Sequence, residues 1–505
     1  MRIVAIGAGQ AGLGFGIKLK KMGHSDFVIY EKGYTVGGVW RENTYPGVRC
    51  DAPSQGYCYS FAPSGLWKKK YSGGNDIRRY FERAARTFNV AQHVKLNKEV
   101  ISAEWTGKRW KLEISDGTTD FADILVSATG VLHRVAYPDI PGLETFEGHV
   151  FHSAEWDHSV DIDGKVVGLV GAGSSAVQIV EAITDRVSKL VVFQRTAQWI
   201  LKSENSNYPF WYRALMTLFP VLQRRAYKRW EAVQLAIGGG LSGRSKEQAA
   251  QLLQSCLEHL DEVEDPILKQ KLTPDYPMGC KRLVIAEKFY EMIQRPNVSL
   301  ENGRIAKVTP TSVVAESGQE YPLDVLVLAT GFHASAYVRP MRMIGEGGCT
   351  LDEVWADGPV SYIGMSVPKM PNFFMLGGPP NAVNQLMPIL TAEMQSDAIL
   401  GYIRHIAEQK IAIHPRQDVV RALVQEQRAA GKETVWGQGC KSWYIDDKGV
   451  PHFYPFDFER FKRDTEAPLL VDHFEVRSLG DHGGNNMRAS SSVFPTRELQ
   501  PETVK

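Results

Sequence analysis

The chain has 505 residues, 58 Lys and Arg against 57 Asp and Glu, and 43% hydrophobic residues. That length corresponds to about three domain-sized units, and the composition excludes a disordered, collagen-like or disulfide-stapled chain. A net charge of +1 argues against nucleic acid as the main partner, which needs a basic face, but one local cluster still suffices for an anionic small molecule.

Residues 2–6 form a short apolar run that reads as a buried strand, so no signal peptide is expected ahead of it. Gly7-Ala-Gly9-Gln-Ala-Gly12 follows at once, then a helical stretch to about Met22 and a second strand, Asp26-Phe-Val-Ile-Tyr30, closed by Glu31. This is a complete strand–helix–strand start with three glycines in place. Gly7 makes the turn, Gly9 lets backbone approach a pyrophosphate, and Gly12 lets helix and strand pack closely. The helix N-terminus offers free N–H groups to phosphate. Glu31, nineteen residues past Gly12, sits where an acid accepts ribose hydroxyls.

The pattern returns 164 residues later. Residues 165–170 read as a strand, Gly171-Ala-Gly173-Ser174-Ser175-Ala176 as the turn, and residues 189–193 as the partner strand. Alanine at the third glycine position is a permitted variant. Arg195 stands nineteen residues past Ala176, the offset that Glu31 has in the first motif. An acid there repels a 2′-phosphate, whereas an arginine binds one through charge-assisted bonds. The first site is therefore expected to hold FAD and the second NADP(H). Two β-rich runs ending in Ala-Thr-Gly, at residues 124–130 and 325–331, are expected to carry the crossovers between the units.

Between the two motifs lies Phe146-Glu-Gly148-His-Val-Phe-His152-Ser-Ala-Glu-Trp156-Asp157. This string resembles the signature of type I Baeyer–Villiger monooxygenases at every defining position, and the resemblance runs from Arg2 to about Phe461. It implies an α/β fold with two Rossmann-like dinucleotide-binding domains and a helical insertion. The expected division is an FAD domain at 1–142 and 324–478, an NADP domain at 143–204 and 272–323, a helical insertion at 205–271 and a loose tail at 479–505.

By the same resemblance, Gly38, Val39, Trp40, Asp51 and Tyr57 belong to FAD-contacting loops, Val100 lies near the adenine, and Met387 starts a helix behind the last flavin loop. The loop at residues 377–381 departs from the usual pattern. Trp443 lies in a segment that resembles a lid over the nicotinamide cofactor. His152 is expected as a packed domain-linker residue rather than a catalytic one.

Tyr276-Pro-Met-Gly-Cys-Lys281-Arg282-Leu283 resembles the segment that carries the family's essential arginine. A flavin C4a-peroxide must stay anionic to attack a ketone, and a fixed cation beside it lowers its pKa and stabilises the oxyanion of the adduct. Arginine keeps its charge at working pH. Arg282 is assigned this role, with Asp51 orienting it and Lys281 joining Arg195 and Thr196 on the 2′-phosphate. The implied activity is NADPH- and O2-dependent conversion of a ketone to an ester or lactone. The alternative is an N- or S-oxygenating flavin monooxygenase, which wants a neutral hydroperoxide and does not need Arg282.

Phe210, Trp211, Tyr212, Leu215, Met216 and Phe219 stand at roughly helical spacing and are expected to pack as helix core; the alternatives are the lining of a hydrophobic pocket or a membrane-surface contact. The six cysteines form no Cys-x-x-Cys, so neither a zinc knuckle nor a redox disulfide is suggested. This removes a disulfide reductase from consideration and fits a reducing, cytoplasmic setting. No apolar stretch reaches membrane-span length, and a monomer or weak oligomer is expected.

Overall fold

The structure is a computed structural model that describes residues 1–380, 387–437, 439–440, 445, 453–467, 469 and 471–479. Two five-stranded parallel sheets organise it. The first runs in the order Phe373–Met375, Ile124–Ser127, Ile3–Ile6, Phe27–Tyr30 and Val94–Lys95. The second runs Val298–Asn302, Lys189–Gln194, Val166–Val170, Val325–Leu328 and His149–His152. The central strands are almost wholly buried. Strands covered on both faces need continuous apolar runs such as Ile3-Val-Ala-Ile6 rather than alternation.

In each sheet the glycine-rich turn leaves the central strand beside a strand on the opposite side, and the crevice past the strand ends at such a switch point is where nucleotides bind. Two smaller sheets flank these. Arg342–Ile344, Val100–Trp105, Trp110–Ile114 and Thr119–Ala122 form one, and Ile305–Val308, Ser312–Ala315 and Glu320–Pro322 the other. Trp110 is fully buried and donates its indole N–H to the Pro371 carbonyl at 2.7 Å, tying the four-stranded sheet to the edge of the first parallel one.

Helices Phe210–Leu218, Pro220–Leu241, Lys246–Leu260 and Pro266–Leu272 fill the insertion. It straddles both units: Tyr227 enters the core of the first sheet and Leu260 that of the second. Among the described residues no helix is long and apolar enough to cross a membrane.

Three features differ from the sequence-based expectations. The strand Val325–Leu328, assigned above to the FAD unit, is hydrogen-bonded between Val166–Val170 and His149–His152 in the second sheet. The return crossing therefore follows that strand instead of preceding it. Phe210 and Trp211 are 81% and 66% exposed, because helical spacing identifies a face without saying which side of it meets protein. Finally, Cys280 and Cys440 are joined in a disulfide across 160 residues. Local spacing cannot reveal a pair that tertiary packing creates: the Trp436 indole donates to the Gly279 carbonyl at 3.1 Å and brings the two segments together. The other cysteines are free, so the cysteine pattern no longer speaks for a reducing compartment. Residues 480–505, most of the expected tail, lie outside the described residues.

Candidate active site

In the first unit, strand Ile3–Ile6 turns through Gly7 into helix Gln10–Lys21. Gly7 has φ +104°, a conformation open to glycine. A Cβ on Gly12 would lie 1.9 Å from the Gly7 carbonyl oxygen, so only glycine lets the helix start this close to the strand. Gly9 caps the helix without a side-chain hydrogen bond, and its first turn carries no acid. The leading N–H groups are thus left for an anion.

Glu31 is buried beneath this turn. One carboxylate oxygen accepts the Ala8 N–H, and the other accepts the Gly33 N–H and the Arg41 guanidinium at 2.6 Å. Protein donors thus fill three of the roughly four acceptor positions of a carboxylate, which leaves one for a ribose hydroxyl. Arg41, also buried, is held in turn by Glu42 and the Thr35 carbonyl. Gly38 caps the short helix Val39–Glu42. Trp40 donates its indole N–H to Tyr57 Oη, and Tyr57 donates onward to Gln10. Burial pushes the Tyr57 hydroxyl pKa far up, so it stays protonated.

The second unit repeats the design. A Cβ on Gly171 would sit 2.4 Å from the Ala329 carbonyl oxygen, whereas one on Gly173 would meet nothing within 4 Å. Helix Ser174–Ile183 also starts without a side-chain cap, and Ala176 is buried against the core. Arg195 lies past the end of strand Lys189–Gln194. Burial and then the positive charge of Arg195 lower the Lys281 pKa below the ordinary lysine value, so the two cations share one neighbourhood.

The units meet at Asp51. Its carboxylate accepts Ser174 Oγ at 2.9 Å and the Gln178 amide at 3.1 Å, and Arg282 Nε lies 3.6 Å away. The Asp51 side chain is 10% exposed and that of Arg282 51%. The acid is therefore fixed, while the guanidinium opens into the space beside it. Gln178 is the hinge pin of the junction. It also accepts from Tyr45 Oη and the Arg49 N–H and donates to the Arg49 carbonyl, and Arg49 pairs with Glu181 on the same helix.

A cavity of roughly 1060 Å³ joins both turns. Of the residues singled out in the sequence, Gly7, Gly9, Glu31, Gly38, Val39, Trp40, Asp51, Tyr57, Val100, Met387, Gly173, Ser174, Ser175, Arg195, Lys281 and Arg282 line it. Gly12, Gly171, Ala176 and Thr196 do not; the first three support the turns from behind. Trp443 lies outside the described residues, and so does Asn381 of the loop at 377–381. His152 is fully buried and accepts the Ala154 N–H through Nδ1, a packed position behind the cavity wall, its ring against Phe332.

The sequence reading passed over Gln178, Arg41 and Thr391. Thr391 lines the cavity at the start of helix Pro388–Gln409, and its buried hydroxyl has no partner among the described residues. That orphaned hydroxyl and three helix N-termini without side-chain caps suit a ligand rich in phosphate and carbonyl oxygen. The residues present fit two dinucleotides.

The Lys281–Arg195 pair carries a pH prediction. A lysine whose pKa is lowered loses its charge earlier as pH rises. Affinity for a 2′-phosphate should therefore be full below the lowered pKa and fall as pH passes through it, ahead of the usual lysine range. Titrating NADPH and NADH by flavin fluorescence from neutral to alkaline pH should show this decline for NADPH alone. A Lys281→Met protein with the same NADPH decline would refute it.

A family profile for pyridine nucleotide-disulphide oxidoreductases matches residues 4–218. The only cysteines in that range, Cys50 and Cys58, are free and buried. A Baeyer-Villiger monooxygenase of Streptomyces coelicolor is 36% identical over 488 residues, covering 94% of this chain and 93% of that protein. Among solved structures, OTEMO in complex with FAD and NADP superposes with a TM-score of 0.83 at 25% identity, covering 94% of this chain and 99% of that one. Cyclohexanone monooxygenase from Rhodococcus sp. Phi1 bound to NADP+ gives the same TM-score and coverage at 27% identity.

Proposed function

The chain belongs to the Baeyer–Villiger monooxygenases, and from that membership we propose that it is an FAD- and NADPH-dependent enzyme inserting one oxygen atom of O2 beside a ketone carbonyl to give an ester or lactone. The observation that carries the reading is the Arg282–Asp51 pair, 3.6 Å apart, in the cavity that both dinucleotide turns open into. FAD occupies the part lined by Gly7, Gly9, Glu31, Gly38, Trp40, Val100 and Met387. NADP(H) occupies the part lined by Gly173, Ser174, Ser175, Arg195 and Lys281.

Bound flavin, reduced by NADPH, supplies the activation of dioxygen, and the chain's own groups supply the environment. Arg282 places a permanent positive charge where the oxygen anion that attacks the carbonyl must be kept unprotonated, and where the carbonyl oxygen becomes negative. Asp51, held by Ser174 and Gln178, keeps the guanidinium aimed and balances its charge before substrate arrives. Phe332, Val338, Met341, Leu376 and Phe453 give the cavity an apolar wall, which suits an apolar ketone and keeps out water that would discharge the oxidant. A cytoplasmic setting supplies NADPH.

The test is direct. The purified protein should carry a flavin absorbance. With NADPH, air and a panel of cyclic and linear ketones it should add one oxygen atom to a ketone, and heavy-isotope dioxygen should deliver its label to the product by mass spectrometry. NADPH oxidation that yields only hydrogen peroxide across the whole panel would count against the reading.

A further inference from the structure

Most surface helices turn their apolar side to the protein. Helix Phe210–Leu218 does the reverse. At about 100° per residue, Phe210, Trp211, Ala214, Leu215 and Leu218 fall within an arc of about 140°. Within that arc Phe210 is 81%, Trp211 66% and Leu218 73% exposed. Met216, on the other side, is buried, and Tyr212 stacks on Tyr208 and bonds Gln55. The apolar surface continues through Phe219 and Val221, both more than half exposed, and is joined by Leu66. Leu66 is held there because its loop is seated on the helix: a Cβ on Gly65 would lie 2.6 Å from the Thr217 nitrogen. A contiguous apolar patch of this kind marks a docking site.

The segment that carries the patch is basic, with acids only at its ends, Glu204 and Glu231. Residues 205–230 contain five cations, Arg213, Arg224, Arg225, Lys228 and Arg229, and no acid. Val221, Arg224, Arg225 and Lys228 recur at helical spacing, so a basic stripe leads away from the apolar tip. Lys228 is paired with Glu231, while Arg224, Arg225 and Arg229 are exposed. Lys68 and Lys69, also exposed, follow Leu66.

We propose that this face is a peripheral membrane-docking surface that seats the enzyme on a bilayer containing anionic lipid. Protruding Trp, Phe and Leu with a basic flank form the pattern of an interfacial helix: the apolar residues enter the headgroup–acyl boundary and the cations meet lipid phosphates. A second copy of the chain is a poor occupant, because an isologous contact would set the same cations against each other.

The experiment is co-sedimentation of the FAD-loaded full-length protein with phosphatidylcholine vesicles, with or without phosphatidylglycerol. The protein should pellet with the anionic vesicles at low salt and be largely released as salt is raised. R224Q/R225Q should weaken binding about thirty-fold, and W211S/L218S at least ten-fold, with flavin content and NADPH oxidation in vesicle-free buffer unchanged. Failure to bind anionic vesicles at low salt, or binding unaffected by both variants, would overturn the proposal. So would a dimer in sedimentation velocity that W211S/L218S dissociates, which would assign the face to a second copy. Binding to polyglutamate without binding to vesicles would assign it to an acidic protein. None of these outcomes depends on which substrate the enzyme oxidises.

Discussion

Arg282→Ala should lose ester formation while keeping its flavin and its affinity for NADPH. The expected fall in ketone turnover is about 10²- to 10³-fold, the usual cost of removing one preorganised donor to a developing oxyanion. The fold should tolerate the change, because the Arg282 side chain is half exposed in the cavity and its removal leaves no hole in a packed core. Asp51 loses its cation but keeps Ser174 and Gln178. NADPH oxidation should continue, with its electrons diverted to hydrogen peroxide, so the ratio of peroxide to ester is the sharpest readout. Oxidation of a sulfide, which needs no anionic nucleophile, should survive in part. Arg282→Lys should fall between, since an ammonium keeps the charge but not the planar fork. Wild-type lactone formation by Arg282→Ala would remove Arg282 from the mechanism.

What the sequence disclosed depended on how local the chemistry is. The two glycine-rich turns are legible because strand, turn and helix are consecutive and the backbone geometry tolerates few residue types. Gly12 is an instance: the obstacle to any other residue, the Gly7 carbonyl, lies five positions away in the chain. Glu31 and Arg195, which both line the cavity, were singled out by a shared offset from their turns, again a local measure.

Gln178 escaped because its partners, Tyr45, Arg49 and Asp51, come from the other nucleotide unit. Its single signal was a polar side chain among Val177, Ile179 and Val180 on a helix that had to be buried. Arg41 was hidden for the opposite reason, since a surface charge is the ordinary reading of an arginine three residues past a glycine turn. Val325–Leu328 went to the wrong sheet because its apolar run and Ala-Thr-Gly ending look the same as those of Ile124–Ser127. Only the hydrogen-bonded neighbours tell the two strands apart. The outward-facing aromatic helix and the Cys280–Cys440 pair share this cause: both depend on what packs beside a segment, which periodicity and spacing do not encode.

Arg195→Ser should change which nicotinamide cofactor the enzyme uses. A hydrogen bond to a charged group is worth roughly 1.5–3 kcal/mol, so kcat/KM for NADPH should fall about ten- to hundred-fold while that for NADH stays within about two-fold. The loss should lie mainly in KM, because the 2′-phosphate is remote from the reacting ring and binds equally well before and during hydride transfer. The variant should also report on its neighbour. Arg195 is one cause of the lowered Lys281 pKa; with that charge gone, Lys281 should hold its proton to higher pH. The alkaline limb of the residual NADPH affinity should therefore move upward in Arg195→Ser, even as the affinity itself drops. Steady-state kinetics with both cofactors, repeated across alkaline pH, measures the two effects together. An unchanged NADPH/NADH ratio would mean that Arg195 does not reach the phosphate. A reduced ratio without the upward shift would leave Arg195 in the phosphate site but show that its charge does not act on Lys281. Because the two cations repel each other until the phosphate arrives, Arg195→Ser and Lys281→Met should not be additive. Below the lowered Lys281 pKa, where both side chains are charged, the double variant should lose less NADPH affinity than the product of the single losses, because the repulsion that phosphate binding relieves is forfeited in full by either single variant and only once by the double.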